Sequence, residues 1–178
     1  MDSNMYFRTK RSMHFMLALL VVVGITIGVA WAANPHYKPG GQPVCTIDTT
    51  NGTATCSAGS VAGLGNDSVV VTVSLTASAG TFCHNKGNPD NIVPGQNPAI
   101  GTGSSSQFFT PDQIKNGNLD IPAIGTTATV ATPSWSAAGC ENANWSVTLG
   151  TITYGPGRYS FQQPPGLKYE IQRLSFSF

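Results

Sequence analysis

The sequence predicts an all-β protein: an antiparallel, immunoglobulin-like β-sandwich held by two disulfides. Three observations lead to this prediction. Short runs of alternating apolar and polar residues recur about every 8–12 positions, with turn residues between them. Helical periodicity is almost absent from these runs. An even number of cysteines, Cys45, Cys56, Cys83 and Cys140, follows an N-terminal export signal, which is the pattern of a disulfide-bonded exported domain.

The export signal occupies residues 1–32. Arg8, Lys10 and Arg11 precede a nearly unbroken apolar run over residues 15–33, and Ala30-Trp31-Ala32 is a small-x-small cleavage pattern. This run is also just long enough to span a bilayer, so an uncleaved signal anchor is the alternative. In both cases the rest of the chain is exported. We therefore expect a secreted or cell-surface protein that contacts a membrane only through an uncleaved N-terminal segment.

Residues 33–44 contain three prolines and two glycines and are predicted to form a linker before a single domain at residues 45–178. The domain begins with a hairpin of residues 44–47 and 54–57. A four-residue loop at 49–52 would pair Asp48 with Thr53 and place Cys45 opposite Cys56, within reach of a disulfide. A two-residue Asn-Gly turn, the alternative, would offset the two cysteines. Of the three pairings that four cysteines allow, we predict Cys45–Cys56 with Cys83–Cys140.

Residues 68–75 form the strongest predicted strand, because Val69, Val71, Val73 and Leu75 share one face. Residues 80–83 continue it after a bend. A long loop follows at residues 84–98, rich in side-chain oxygens. A calcium site there is one hypothesis, since hard cations take six to eight oxygen ligands, and ordinary turn formation is the other.

The second half of the chain continues the strand pattern. A helical turn at 111–115 interrupts it. Apolar parity switches at Gly150-Thr151, which predicts a β-bulge there. The predicted strands are residues 107–110, 119–124, 126–131, 145–149, 152–154, 158–162 and 167–178.

Five segments resemble a group of small secreted bacterial proteins of uncharacterised function. They are Cys-His-Asn-Lys-Gly-Asn (83–88), Pro-Gly-Gln-Asn-Pro (94–98), Lys-Asn-Gly-Asn (115–118), Ala-Gly-Cys-Glu-Asn-Ala-Asn-Trp (138–145) and Gln-Gln-Pro-Pro-Gly (162–166). The group's pattern, CxNxGN…PGQNP…KNGN…AGCPNxNW…QPPG, recurs in this order, and the resemblance covers residues 68–178. It implies an exported β-sandwich and no particular activity. Glu141 stands where the group has proline.

Composition and motifs narrow the function classes. After residue 32 the chain has six Lys and Arg and seven Asp and Glu, without a basic stripe, which argues against nucleic-acid binding. No GxSxG, HExxH or phosphate-loop motif occurs, and we expect no cofactor. Cys83 and His84 are adjacent, but neighbours on an extended chain point to opposite faces, so we do not expect a Cys–His nucleophile.

These observations predict an exported, non-catalytic structural or interaction module whose partner would be a cell-surface glycan or a protein. One alternative is a carbohydrate-binding module that uses exposed aromatic side chains. Its candidate contact residues are Trp135, Tyr154, Tyr159 and Tyr169. A small secreted hydrolase, with carboxylates brought together by folding, is the other alternative.

Overall fold

The computed structural model describes residues 34–166 and the strand at residues 172–176; the predicted signal segment and Tyr169 lie outside this described part. Within it the fold consists of antiparallel strands joined by turns and one 3-10 turn, Pro111–Gln113. The strands are β1 His36–Tyr37, β2 Cys45–Asp48, β3 Thr53–Cys56, β4 Gly59–Ala62, β5 Val69–Asn85, β6 Asn88–Pro94, β7 Ala99–Phe109, β8 Leu119–Ile121, β9 Ile124–Thr127, β10 Trp145–Tyr154, β11 Gly157–Gln162 and β12 Gln172–Phe176. The predicted antiparallel all-β class is confirmed.

Strand β5 is the centre of a six-stranded sheet. On one side it pairs with β7 along residues 69–79 and with β6 along residues 82–85. On the other side it pairs with β11 and then with β10, while β12 adds to the far side of β11. One strand therefore holds four others, and the two faces of β5 become the two faces of the large sheet.

The prediction of two strands with a bend, at 68–75 and 80–83, is wrong, because β5 is a single strand of 17 residues. Its odd-numbered side chains stay buried from Val69 to Cys83, and its even-numbered ones stay partly or fully exposed. The inward side chains become small at Ala77 and Ala79, but they keep the same parity. An unbroken two-residue period lets the strand continue without a bulge.

Two three-stranded sheets, in the orders β1-β4-β8 and β2-β3-β9, accompany the large sheet. The β2–β3 hairpin confirms the predicted register, since Asp48 pairs with Thr53 and Cys45 with Cys56. The Thr50 N–H donates to Asp48 Oδ1 at 2.8 Å and closes the loop. Both predicted disulfides are present, with Cα–Cα distances of 4.0 Å for Cys45–Cys56 and 5.8 Å for Cys83–Cys140.

Backbone pairing occurs within residues 34–44, most of the segment that the sequence predicts to be a linker. His36–Tyr37 pairs with β4, and Tyr37 packs against the main core. The Lys38 N–H donates to the Ser60 carbonyl at 3.0 Å, and the Gly41 carbonyl accepts from the Ser60 N–H at 2.8 Å. Proline and glycine here mark turns between backbone-paired residues, a role that composition alone does not distinguish from a linker.

The main core lies on the inward face of the large sheet, where the small sheets cover it. β5 contributes Val69, Val71, Val73 and Leu75, the side chains predicted to share a face. Other members come from both small sheets, from β7 and β11 and from loops. The largest of them on the small sheets and β11 are Tyr159, Phe161, Ile121 and Val61, all at most 1 % exposed. Burial of each large aliphatic side chain stabilises the fold by roughly 1.5–3 kcal/mol relative to exposure.

Next to this core, strand β7 meets another part of the chain backbone to backbone. A Cβ at Gly101 would overlap the Thr129 carbonyl, and a Cβ at Gly103 would overlap the Thr127 carbonyl. Thr102 and Thr129 form an antiparallel bridge at the same place. Glycine at positions 101 and 103 therefore lets residues 127–130 cross β7 at a distance that no side chain allows.

Other predictions have mixed outcomes. The bulge is confirmed, because the β10–β5 register shifts between Leu149 and Ile152, and the helical turn appears as the 3-10 turn. The loop at 84–98 is instead a hairpin, formed by the end of β5 and by β6. The predicted strand at 119–124 is divided between β8 and β9, which belong to different small sheets. At Pro122 and Ala123 the chain passes from one small sheet to the other. Alternation of apolar and polar residues within a short run does not reveal such a crossing.

Two tyrosines, Tyr37 and Tyr159, bring phenol groups into the core. Their hydroxyls interact with each other, but neither has a hydrogen-bond partner of standard geometry among the described residues. Burial raises the pKa of Tyr37 to about 12. Burial also raises the pKa of Tyr159, and the neighbouring Tyr37 reinforces this shift. Both phenols are held in the neutral form because ionisation inside the core is costly.

We expect the Gly103→Ala substitution to destabilise the protein by about 1–3 kcal/mol, because the added methyl group meets the Thr127 carbonyl. Gly80→Ala is the matched control: it lies in a strand of the same sheet, and its Cβ would have no atom within 4 Å. The measurement is the free energy of unfolding in urea. Equal losses in the two variants would contradict the close backbone approach.

The paired phenols predict a loss of stability at alkaline pH. Tyr37 ionises near pH 10 in the unfolded chain and only near pH 12 in the folded protein, so its contribution is complete below pH 10 and is lost between these values. We expect Tyr37→Phe to make the fall of the unfolding free energy across this range shallower, without loss of stability at pH 7. Urea titrations at a series of pH values measure this. An unchanged slope would show that Tyr37 is not held neutral.

Candidate functional site

The outward face of the large sheet carries an array of hydroxyl groups, which we call the hydroxyl face. It consists of Thr72, Ser74, Thr76 and Ser78 of β5 and Thr102, Ser104 and Ser106 of β7. Three pairs lie directly opposite each other across the two strands: Thr72 with Ser106, Ser74 with Ser104 and Thr76 with Thr102. The Thr72 and Ser106 hydroxyls are hydrogen-bonded at 2.8 Å, and Ser78 is hydrogen-bonded to Thr153 of β10 at 3.1 Å. Such pairs fix the side chains in an ordered surface.

Large apolar side chains stand at both ends of the hydroxyl face. Ile100, which pairs with Ser78, is 70 % exposed, and Phe108, which pairs with Val70, is 59 % exposed. The outward positions of β5 and β7 carry no acidic side chain and a single titratable group, His84. The neighbouring strand β11 adds Arg158. A long, charge-poor surface with apolar ends is unusual for a monomeric protein and typical of an interaction site.

A cleft of about 460 Å³ lies near the end of β5, beside the Cys83–Cys140 disulfide. Strand β6 contributes Asn91 and Val93, and the turn after it contributes Gln96. Cys140, Glu141 and Trp145 line the opposite side. Three of the five segments that carry the sequence resemblance, 83–88, 94–98 and 138–145, therefore meet at this cleft.

The cleft is built on a small second core. The disulfide packs with Ala138 and Trp145, which are buried, and with the half-buried Val147. The Ala138 carbonyl accepts hydrogen bonds from the Gln96 N–H at 2.9 Å and the Asn97 N–H at 3.1 Å. The Asn97 side chain donates to the Ala137 carbonyl at 3.0 Å. A covalent bond and three hydrogen bonds thus fix the two walls relative to each other.

A second cleft, of about 490 Å³, lies between strands β4 and β8 and is lined by Gly41, Gly59, Ser60 and Asp120. The Ser60 hydroxyl donates to Asp120 Oδ1 at 2.8 Å. Asp120 and Glu141 are thus carboxylates of separate clefts. Glycosidase chemistry needs two carboxyl groups about 5–10 Å apart across one bond, and neither cleft is lined by two acidic residues of the described part.

Within the described part of the chain, the aromatic residues predicted to contact a ligand differ in their exposure. Tyr159 is fully buried, so its prediction as an exposed contact is wrong. It faces inward because it pairs with Val73 in the alternation of β11. Tyr154 is half-buried against the main core, and a Cβ at Gly52 would lie 2.6 Å from its hydroxyl oxygen. Trp135 is 37 % exposed, and Tyr169 lies outside the described residues.

The proposed calcium loop is the hairpin of β5 and β6. Asn85 Oδ1 accepts from the Gly87 N–H at 2.8 Å, which is an Asx turn. Across residues 34–166 and 172–176, no cluster of three or more His, Cys, Asp or Glu side chains could hold a metal ion. In the same ranges no helix has the length and apolar character needed to cross a membrane.

Comparison with known proteins found no matching family model, no similar curated protein and no similar solved structure.

Removal of the disulfide beside the cleft should cost more stability than removal of the other one. The Cys83–Cys140 bridge closes a loop of 57 residues and the Cys45–Cys56 bridge a loop of 11. On the chain-entropy model these loops correspond to about 4 and about 3 kcal/mol. We expect this order when Cys83→Ser/Cys140→Ser is compared with Cys45→Ser/Cys56→Ser by urea unfolding. The reverse order would show that the loop length does not govern the stabilisation.

Proposed function

We propose that this protein is an exported, non-catalytic structural module that associates with a second copy of itself through the hydroxyl face. Two disulfides fit an oxidising environment, and the sequence before residue 33 has the composition of an export signal. The observation that carries the proposal is the ordered, charge-poor array of hydroxyls with exposed Ile100 and Phe108 at its ends.

A hydroxyl array is complementary to its own copy. Each Ser or Thr hydroxyl can both donate and accept a hydrogen bond, whereas a carboxylate only accepts and an ammonium only donates. A two-fold dimer brings identical patches together, so like charges in the patch would repel each other. The seven side chains of the hydroxyl face avoid this repulsion because none of them is charged; Arg158 lies on the neighbouring strand β11, opposite Ser74.

The size of the surface predicts weak association. Strand β7 has 11 residues, which span about 36 Å, and the two strands of the face are together about 10 Å wide. The resulting area of roughly 350 Å² is smaller than the roughly 800 Å² per partner of a typical stable interface. Ile100 and Phe108 would supply most of the apolar burial. We therefore expect a concentration-dependent dimer rather than a permanent one.

The alternatives have less support. Carbohydrate binding through Trp135, Tyr154, Tyr159 and Tyr169 is disfavoured by the burial of Tyr159. A hydrolase is disfavoured because Asp120 and Glu141 line separate clefts. Within the proposal, the immunoglobulin-like form of the domain stays a prediction, which is supported by one core shared between the large and small sheets.

Substitution at the centre of the hydroxyl face tests the proposal. Ser104→Glu places one acid on each copy, opposite its counterpart, and we expect it to weaken dimerisation about tenfold or more. Thr46→Glu is the control, because Thr46 is exposed on β2 of a small sheet. The measurement is sedimentation velocity over a series of protein concentrations.

The wild-type protein and the Thr46→Glu variant should dimerise over the same range of protein concentrations. The Ser104→Glu variant should remain monomeric in that range. Thermal unfolding of each variant confirms that its fold is intact. A monomeric wild-type protein at every concentration, or an unaffected Ser104→Glu variant, would overturn the proposal.

A further inference from the structure

The geometry points to a second site: the cleft beside the Cys83–Cys140 disulfide binds an N-acetylated amino sugar. This inference is independent of the proposed self-association, because the residues lining the cleft are not members of the hydroxyl face. The cleft volume of about 460 Å³ lies within the roughly 300–1,000 Å³ range typical of small-molecule sites.

The cleft is preformed, which favours binding of a small ligand. Its walls belong to segments that are far apart in sequence, and the disulfide joins them covalently. Gly139 has φ 76°, and a Cβ there would lie 2.8 Å from Gln96 Cβ, so glycine lets the two walls meet closely. A site that is already ordered loses little conformational entropy when a ligand binds.

One part of the lining is apolar. Val93 is 41 % exposed, and it stands beside the disulfide and the small exposed part of Trp145, whose total exposure is 8 %. A methyl group or the C–H face of a sugar ring would remove this surface from water. The free-energy gain is modest for an area of this size, so polar contacts must supply the specificity.

The other part of the lining has unused hydrogen-bonding groups. The side-chain amides of Asn91 and Gln96 make no hydrogen bonds within the described part of the chain, although the Gln96 backbone does. Each amide offers two donors and an acceptor, and the Glu141 carboxylate offers acceptors only. Donors and acceptors therefore stand on the same cleft as the apolar patch.

The charge of the lining limits the ligand. Glu141 is the one charged side chain among the described residues that line the cleft. An anionic ligand would be repelled by the carboxylate and would have no lining cation to pair with it. A cationic ligand could pair with Glu141, but this carboxylate is exposed and an exposed ion pair contributes little. The lining is therefore used best by a neutral ligand that carries both a hydrogen-bond donor and an acceptor next to an apolar group.

An acetamido group combines these three properties. Its methyl group fits the patch of Val93 and the disulfide. Its N–H can donate to the Glu141 carboxylate, and its carbonyl can accept from the amide of Asn91 or Gln96. The ring hydroxyls of the same sugar would use the remaining amide groups. A plain hexose lacks the methyl group and the amide, so it would leave part of the lining unpaired.

Two disaccharides with the same linkage test this inference. Di-N-acetylchitobiose and cellobiose differ only in the acetamido groups, and each is titrated into the purified, disulfide-bonded protein. Binding is followed by chemical-shift changes in two-dimensional ¹H–¹⁵N NMR spectra. We expect di-N-acetylchitobiose to shift the side-chain amides of Asn91 and Gln96 and the indole N–H of Trp145, with at least about tenfold weaker binding of cellobiose.

Gln96→Ala should weaken the binding of di-N-acetylchitobiose about three- to tenfold, the value of one net hydrogen bond. Gln42→Ala is the matched control, because Gln42 is exposed and lies outside the cleft. Equal binding of the two disaccharides, shifts that map elsewhere, no shifts at all, or an unaffected Gln96→Ala variant would overturn the inference. None of these results would alter the dimerisation of the protein, so the two proposals can fail separately.

Discussion

The two-residue period of strand β5 is the constraint on which the rest of the structure depends. From Val69 to Cys83 its inward side chains are apolar or small, and its outward side chains from Thr72 to Ser78 all carry hydroxyls. Because successive side chains of a strand point to opposite faces, one stretch of sequence supplies both the centre of the core and half of the hydroxyl face. A slip of one residue would bury hydroxyls and expose valines, so the register of every neighbouring strand is fixed at once.

Local patterns predicted those features that depend on neighbouring residues. The Cys45–Cys56 hairpin follows from a turn and a register, and the bulge after Leu149 follows from a parity change. The limits of β5 were harder to predict because Ala77, Ala79 and Gly80 have weak strand preference. They belong to the strand because its partners hold them there, and a single sequence does not show which partners those will be.

Both candidate surfaces depend on contacts between distant parts of the chain. The hydroxyl face needs β7 to lie beside β5 in one register, and serines and threonines in a single strand do not predict that pairing. The cleft needs Gln96 next to Gly139, about forty residues apart in sequence. Alternation in β11 could have identified Tyr159 as a core residue, since Tyr159 and Phe161 have the parity of its buried face. The prediction of Tyr159 as a ligand contact depended instead on the aromatic character of its side chain.

The Cys83–Cys140 bridge also has a mechanical consequence. If the exported chain is pulled at its two ends, tension passes through the two sulfur atoms and bypasses the 57-residue segment that they enclose. That segment, which would otherwise extend by about 200 Å, includes β6, β7, β8 and β9 and cannot be drawn out by force while the bridge is intact. A tethered molecule would therefore release about 200 Å less chain under tension. Strands β7, β8 and β9 would stay inside the closed loop, but they would lose their partners β5, β4 and β3, whose pairing residues precede Cys83.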